Sequence, residues 1–275
     1  MVAGTGLSGV ASTLVVTLAA RAQAHTVFPH LGFRDPASEE LVRRLEIRPD
    51  EIVSDRDSVY GVLQRSQLFD AAVRTFAKDV GTLTVIELGC GLSTAVHRVG
   101  TASSAWIEVD QPKVTELRRR ACPPDSHRRS VSAIIGAPGW LDEIPLPDDG
   151  PVLLMAEGIV PYLTPKVFAG ILGDLALRLK GRRVRFVYDA FAWPLIGMAR
   201  FHPSIGPLAR RDREIEFRSG VSVRADYTAG DPRWRLTRVD SVLGGSGRSN
   251  LLGIDLFEMV SSVPLYGIAT LDLVG

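Results

Sequence analysis

From Leu83 to Tyr188, short apolar runs closed by glycine or an acidic residue alternate with helical stretches, and few folds accept that alternation. The runs are Leu83 to Leu88, Ala105 to Val109, Ser132 to Ile135, Val152 to Met155 and Val184 to Tyr188; helical spacing fills Ser93 to Val99, Pro112 to Arg120 and Pro165 to Leu179. Strands separated by helices pair in parallel through crossovers. Their unbroken Val, Ile and Leu usage marks strands covered on both faces. Trp234 to Val242 and Leu265 to Val274 read as two later strands, a hairpin at the sheet edge, and Gly244-Gly245-Ser246-Gly247 as a flexible loop.

Helices are expected before the sheet. Ser12 to Ala24 carries helix formers, with Ser8 or Ser12 available as N-cap. Pro36-Ala37-Ser38-Glu39-Glu40-Leu41 opens a further helix with acidic residues in its first turn. From Val59 to Lys78, apolar residues recur near every third and fourth position, which leaves Arg65 and Asp70 for polar work. Phe191 to Arg213, with Pro194, Pro203 and Pro207, breaks the rhythm directly after a strand and reads as a lid, since ligands of open α/β sheets bind beyond the strands' carboxyl ends.

Composition removes several function classes. A chain of 275 residues fits one domain, because single cores stop growing at about 250 to 300 residues. Thirty-two basic against 31 acidic residues leave a net charge of +1, so no overall field gathers nucleic acid or an anionic membrane; a small or weakly charged partner is expected. Cys90 and Cys122 are the only cysteines and show neither a disulfide framework nor a metal spacing, which points to the cytoplasm and to no metal. Val10 to Ala20 followed by Ala22-Gln23-Ala24 imitates a signal-peptide core, but no basic residue precedes it. It also falls short of the roughly 18 apolar residues of a membrane helix.

The chemistry concentrates at Val85-Ile86-Glu87-Leu88-Gly89-Cys90-Gly91-Leu92-Ser93-Thr94, a strand running through an acidic residue and two glycines into a helix. Such a turn lets backbone approach a nucleoside. About twenty residues on, Trp106-Ile107-Glu108-Val109-Asp110 ends the next strand with carboxylates suited to ribose hydroxyls. A nicotinamide or flavin site is the rival reading. Its third glycine is absent, Thr94 standing there, and Glu87 would repel a diphosphate while attracting a cation. Asp110 has a second reading as cap of the helix begun by Pro112, Glu157 as cap of the helix near Thr164, and Arg65 as a solvated helix arginine. Cys90 reads as a small buried filler.

Ser8-Gly9-Val10-Ala11-Ser12-Thr13, Arg65-Ser66-Gln67-Leu68-Phe69-Asp70, the glycine loop, Glu108-Val109-Asp110-Gln111-Pro112 and Glu157-Gly158-Ile159-Val160-Pro161-Tyr162-Leu163 stand in one order. Taken together they resemble the leucine carboxyl methyltransferase family, especially its bacterial branch of polyketide O-methyltransferases, from about Ser8 to Leu179. The resemblance implies a Rossmann-like class I methyltransferase: a mostly parallel seven-stranded sheet with an antiparallel edge strand. It also implies S-adenosylmethionine as cofactor, with Arg65 on its carboxylate, Glu157 on its amino group, Glu87, Gly89 and Gly91 forming the pocket, and Asp110 on the ribose. The expected division is a helical cap over 1–80, the cofactor core over 81–190, a lid over 191–230 and C-terminal strands over 231–275. Relatives carry an acidic adenine contact after the third strand; here Trp140 and Asp142 are the nearest candidates.

Methyl transfer mainly requires alignment. A carboxylate acceptor, with a pKa of about 4, needs no base, whereas a phenol near 10 does. Carboxyl O-methylation of a small metabolite or peptide C-terminus therefore leads, with phenol O-methylation second. A binding protein without turnover is a further reading. Tyr162, His202 and Arg200 are the catalytic candidates, with Arg210 and Arg211 as further cations for orienting an acceptor. The oligomeric state is left open by the sequence.

Overall fold

A computed structural model describes residues 6–100, 105–122, 127–243 and 252–274. A 3-10 turn at Gly9–Thr13 leads into α1 (Leu14–Ala22), then α2 (Ala24–Val27), α3 (Pro36–Arg44), α4 (Pro49–Ile52) and the long α5 (Arg56–Val80). Every residue of α1 except Thr17 is buried. That is why its sequence is apolar apart from Thr17 and Arg21, as suits a helix inside a protein. Asp35 caps α3 by accepting the Ser38 N–H at 3.0 Å, and Asp55 caps α5 through Asp57 and Ser58.

The alternating region then supplies β1 (Thr84–Leu88), α6 (Ala95–Val99), β2 (Ala105–Asp110), α7 (Pro112–Ala121), β3 (Arg128–Ser132), β4 (Val152–Ala156), α8 (Pro165–Arg178) and β5 (Val184–Phe191). Four-residue α9 (Gly206–Ala209) lies among short 3-10 turns, before β6 (Trp234–Ser241), α10 (Leu252–Val260) and β7 (Tyr266–Leu273). The seven strands are ordered β3-β2-β1-β4-β5-β7-β6. Neighbours from β3 through β5 are parallel, and β7 runs antiparallel to both β5 and β6 at that margin of the sheet. This is the Rossmann-like class I arrangement. The chain leaves β1 toward β2 and β3 and returns to β4 on the other flank, so the loops after β1 and β4 diverge and open a crevice.

Side-chain alternation divides the core. Ile86, Leu88, Leu154, Phe186 and Tyr188 face Phe168, Ile171 and Leu175 of α8. Val85, Leu153, Met155 and Val187 face Phe69, Val73 and Phe76 of α5. Each such side chain contributes about 1.5–3 kcal/mol on burial. Glu87 shares the parity of Val85, and Asp189 that of Val187. Both carboxylates therefore sit on the face covered by α5, which carries Arg65.

One strand departs from expectation: β3 ends at Ser132, where the apolar run predicts it to begin. It is the outer strand, and only Val131 of its five residues is buried, so it needs no apolar run. Ile134 of that run is 65% exposed. The helix expected from Ser12 starts at Leu14, and Ser12 bonds back to the Gly9 carbonyl instead of capping it. The Gly244–Gly247 loop lies outside the described residues. Among the described residues, no helix is long and apolar enough to cross a membrane.

Candidate functional site

Beyond the carboxyl ends of β1 and β4 lies a cavity of about 140 Å³. Arg65, Glu87, Gly89, Gly91, Asp110 and Glu157 all line it. Residues remote in sequence are thus brought to one crevice. Leu14, Thr17 and Arg21 of α1, with Val10, Ala11 and Thr13 before it, close the crevice from the N-terminal side. That cover is tied to the segment expected to form a lid, because the Gly9 N–H donates to Asp212 Oδ2 at 2.8 Å.

The glycine loop is held from below by two buried guanidiniums. Arg118 of α7 donates Nη1 to the carbonyls of Gly91, at 2.8 Å, and Ser93, at 3.1 Å. Arg21 donates Nη2 to the carbonyl between them, Leu92, at 2.9 Å. Arg118 is itself fixed by an ion pair with Glu108, and Arg21 by Asp35 at 3.3 Å. Asp35 also accepts from Ser38 Oγ, Thr94 Oγ1 and Arg98 Nη1 at 2.8, 2.6 and 2.9 Å, linking α1, α3 and α6 beneath the loop. Thr94, where a dinucleotide site has glycine, belongs to this network. Gly89 has φ +67, and a Cβ there would lie 2.8 Å from Ile159 Cδ1. Gly89→Ala is therefore expected to cost about 1–2 kcal/mol of stability and to weaken ligand binding at the crevice, checked by urea denaturation and calorimetry.

Asp110 accepts the N–H groups of Gly91 and Gln111, both at 2.8 Å. It braces the loop and does not cap α7, whose N-cap is Gln111. Likewise Thr164, not Glu157, caps α8. Glu157 instead meets Arg65, with Nη2 and Nε at 2.9 and 3.0 Å from Oε1. Burial pushes the Glu157 carboxyl up, but the Arg65, Arg21 and Arg98 guanidiniums outweigh it and hold it below the ordinary value. Arg65 is only 8% exposed. Its Nη1 reaches Asp189 Oδ2 at 3.2 Å and Tyr266 Oη at 3.0 Å. Gly158 makes room for it: a Cβ there would meet the guanidinium at 3.2 Å, and its N–H donates to Asp189.

On the other side of Arg65 lies a second, mostly apolar cavity of about 490 Å³. Thr13, Thr17, Arg65 and Gly158 line both cavities. Phe191, Phe217 and Tyr266 form its aromatic wall, with Phe191 ring centroids 4.7 Å from Phe217 and 4.8 Å from Tyr266. Tyr162 and His202 also line it. Burial raises the Tyr162 phenol above its ordinary range. His202 Nδ1 accepts the backbone N–H groups of Ser204, at 3.3 Å, and Ile205, at 3.2 Å. Burial also lowers its pKa despite Asp55. The neutral ring then carries its proton on Nε2. Arg200, by contrast, is exposed over the Phe201 ring and does not line the cavity. Arg210 and Arg211 are exposed as well.

Trp140 and Asp142 stand apart from the crevice. Trp140 is a core residue whose Nε1 donates to Asp174 at 3.1 Å, and Asp142 is exposed. The exposed Ile134 follows Ala133, whose N–H donates to the carbonyl of the crevice residue Asp110 at 2.9 Å. Cys90 is buried, and burial drives its thiol well above the ordinary range, which leaves it inert. Arg118, Arg21 and Asp35 were missed from the sequence. For Arg118 a signal existed: with Val114, Leu117 and Ala121 it makes an inward-facing helical stripe.

The residues fit an adenosyl sulfonium amino acid. In the lining, Glu87, Asp110 and Glu157 stand against the guanidiniums Arg21 and Arg65, and the buried Glu87 Oε1 has no partner among the described residues. A ligand bringing positive charge matches that excess.

The sequence profile of the leucine carboxyl methyltransferase family matches residues 13–176. The tetracenomycin polyketide synthesis O-methyltransferase TcmP of Streptomyces glaucescens is 35% identical over 159 residues, covering 57% of this chain and 57% of that protein. The S-adenosyl-L-methionine-dependent methyltransferase dpfgK of Gibberella zeae is 30% identical over 172 residues, covering 58% of this chain and 57% of that protein. The chain therefore spans little more than half the length of these curated relatives. A crystal structure of a DUF574 family protein from Streptomyces avermitilis shares the fold, with a TM-score of 0.52 and 20% identity over 92% of this chain and 96% of that chain.

Proposed function

We propose, from the premise that this chain belongs to the leucine carboxyl methyltransferase family and uses S-adenosylmethionine, that it methylates a carboxylate of a small apolar metabolite or a peptide C-terminus, giving a methyl ester. The observation that carries this reading is that the groups able to act as a base around the larger cavity are already engaged or exposed. Asp55 is occupied in capping α5. Asp189 accepts from Gly158, Tyr266 and Arg65. His202 presents an N–H donor, so it does not take a proton at Nε2, and Asp57 is exposed on the first turn of α5. A carboxylate acceptor is ionised at neutral pH and needs no base.

The donor, when bound, supplies an electrophilic methyl group on a cationic sulfur. The chain supplies alignment and exclusion of water. Arg65 and Glu157 receive the donor's carboxylate and ammonium, so that one ion pair becomes an alternating chain of charges. Asp110 holds the ribose, and Ile134 offers an apolar face to the adenine. The acceptor lies against Phe191 and Phe217, its oxygen oriented by the His202 and Tyr162 donors. Arg200, exposed on the surface, takes no part in this arrangement.

One observation favours phenol methylation as the second reading. Asp55, Asp57 and Asp189 outnumber Arg65 and neutral His202 in the lining of the larger cavity, which suits an uncharged acceptor better than an anion. Incubation with labelled donor and a panel of aromatic carboxylic acids, phenols and peptides, followed by mild alkali, separates the two. Alkali-labile label on carboxylic acids is expected. Alkali-stable label on phenols would install the second reading, and donor binding without transfer to any acceptor would leave a binding protein.

A further inference from the structure

We propose that Glu87 holds a proton while the crevice is empty and releases it when a cationic ligand seats there, so that donor binding is coupled to proton release. The inference rests on the proposed binding of the donor in this crevice and adds to it the charge state of one floor residue. Glu87 and Glu108 are register neighbours on the parallel pair β1 and β2, which places two buried carboxylates side by side on one face about 5 Å apart. Both are 2% exposed. The guanidinium nearest them, Arg118, is taken by Glu108 and by the carbonyls of Gly91 and Ser93. Arg128 also approaches Glu108, at 3.8 Å.

Glu87 is left with an unpartnered Oε1 among the described residues, at the floor of the crevice. The groups facing it are Glu108 from β2, Ser93 and Cys90 from the glycine loop, Arg118 from α7 and Glu157 after β4. Arg65 of α5 is committed to Glu157 and Asp189. Two isolated buried charges of one sign are not both sustained by one shared counter-ion, so the less well paired carboxyl keeps its proton. Burial first and Glu108 second push Glu87 up to about 8, against the smaller opposing effects of Ser93 and Arg118. An ammonium or sulfonium entering above it supplies the missing counter-charge and favours the ionised form.

The test is calorimetric titration of the whole protein with S-adenosylmethionine near neutral pH, in buffers of different ionisation enthalpy. Release of close to one proton per donor bound is expected, with affinity rising about tenfold per pH unit on the acid side of neutrality. Glu87→Gln is expected to remove both the release and the pH dependence. Adenosine, which carries neither cation, is expected to bind wild type without release, and this control decides the matter if the variant does not fold. Donor binding with no proton released, release that persists in Glu87→Gln, or equal release with adenosine overturns the proposal. If neither S-adenosylmethionine nor S-adenosylhomocysteine binds, the reading of the crevice itself fails.

Discussion

Replacing Arg118 with methionine is expected to destabilise the protein by about 3–5 kcal/mol and to abolish measurable donor binding. Methionine keeps much of the aliphatic stem that packs beside Val114 and Leu117, so the loss is mainly that of the guanidinium. Its removal strands Glu108, a carboxylate 2% exposed with Ser130 Oγ only at 3.4 Å and Arg128 at 3.8 Å for company. It also frees the carbonyls of Gly91 and Ser93, and a buried acceptor left unpaired costs about 1–3 kcal/mol. With those anchors gone, the turn over which the donor is proposed to lie loses its fixed shape. Urea denaturation gives the first effect and calorimetry the second. The double variant Arg118→Met with Glu108→Gln separates the causes. If the stranded charge dominates, the double change recovers most of the stability but not the binding. Unchanged stability in the single variant would show that Arg118 is not the anchor described.

What the sequence made legible follows from how each element is stabilised. The inner strands β1, β2, β4 and β5 are covered on both faces, and that environment writes itself as runs of Val, Ile and Leu. Outer β3 has one neighbour and one buried side chain, so its Arg128-Arg129-Ser130 start is compatible with solvent and hides it from any search for apolar runs. The crevice residues were legible because the glycine turn is a local requirement: a positive φ at Gly89 and a close approach of Ile159 restrict that position whatever lies around it. Arg21 and Asp35 reach Leu92 and Thr94, 71 and 59 positions away, and pairings at such separations leave no local periodicity, whereas Arg118 stands on the inward-facing stripe of α7. Trp140 illustrates the opposite error. An aromatic near the right place in the chain suggested an adenine wall, yet its indole is buried under α8 and bonded to Asp174. The segment over 191–230 lies beyond the family match, which ends at residue 176, and its fold is built from short turns without a repeating pattern. Nothing short of the structure could bring His202 to Phe217 or set its tautomer.

Without bound donor, stability is expected to fall as pH rises from about 5 to about 8, and Glu87→Gln is expected to reduce that fall by the share of Glu87, since burial also raises Asp70, Asp110 and Asp189. The sign follows from proton counting. Below the ordinary 4.5 of a glutamate, the carboxyl is protonated in folded and unfolded chains alike and contributes nothing. Between 4.5 and about 8 the unfolded chain releases its proton while folded Glu87 keeps it, so rising pH favours unfolding. Above about 8 both forms are ionised and the full penalty stands, a difference worth at most about 5 kcal/mol by linkage. Asp35 and Glu157 work in the opposite sense and elsewhere. Although burial opposes it, their guanidinium partners hold both carboxyls below the ordinary range, so their stabilisation is present at neutral pH and is lost only as acid protonates them. The two effects therefore occupy separate windows. Urea midpoints of wild type and Glu87→Gln, compared from mildly acidic to mildly alkaline pH, are expected to diverge steadily, the variant becoming the more stable. Saturating donor is expected to flatten the wild-type profile, because its cation takes over the role of the proton. Parallel profiles for the two proteins would mean that Glu87 ionises freely in the folded chain and that the crevice holds a counter-charge for it already.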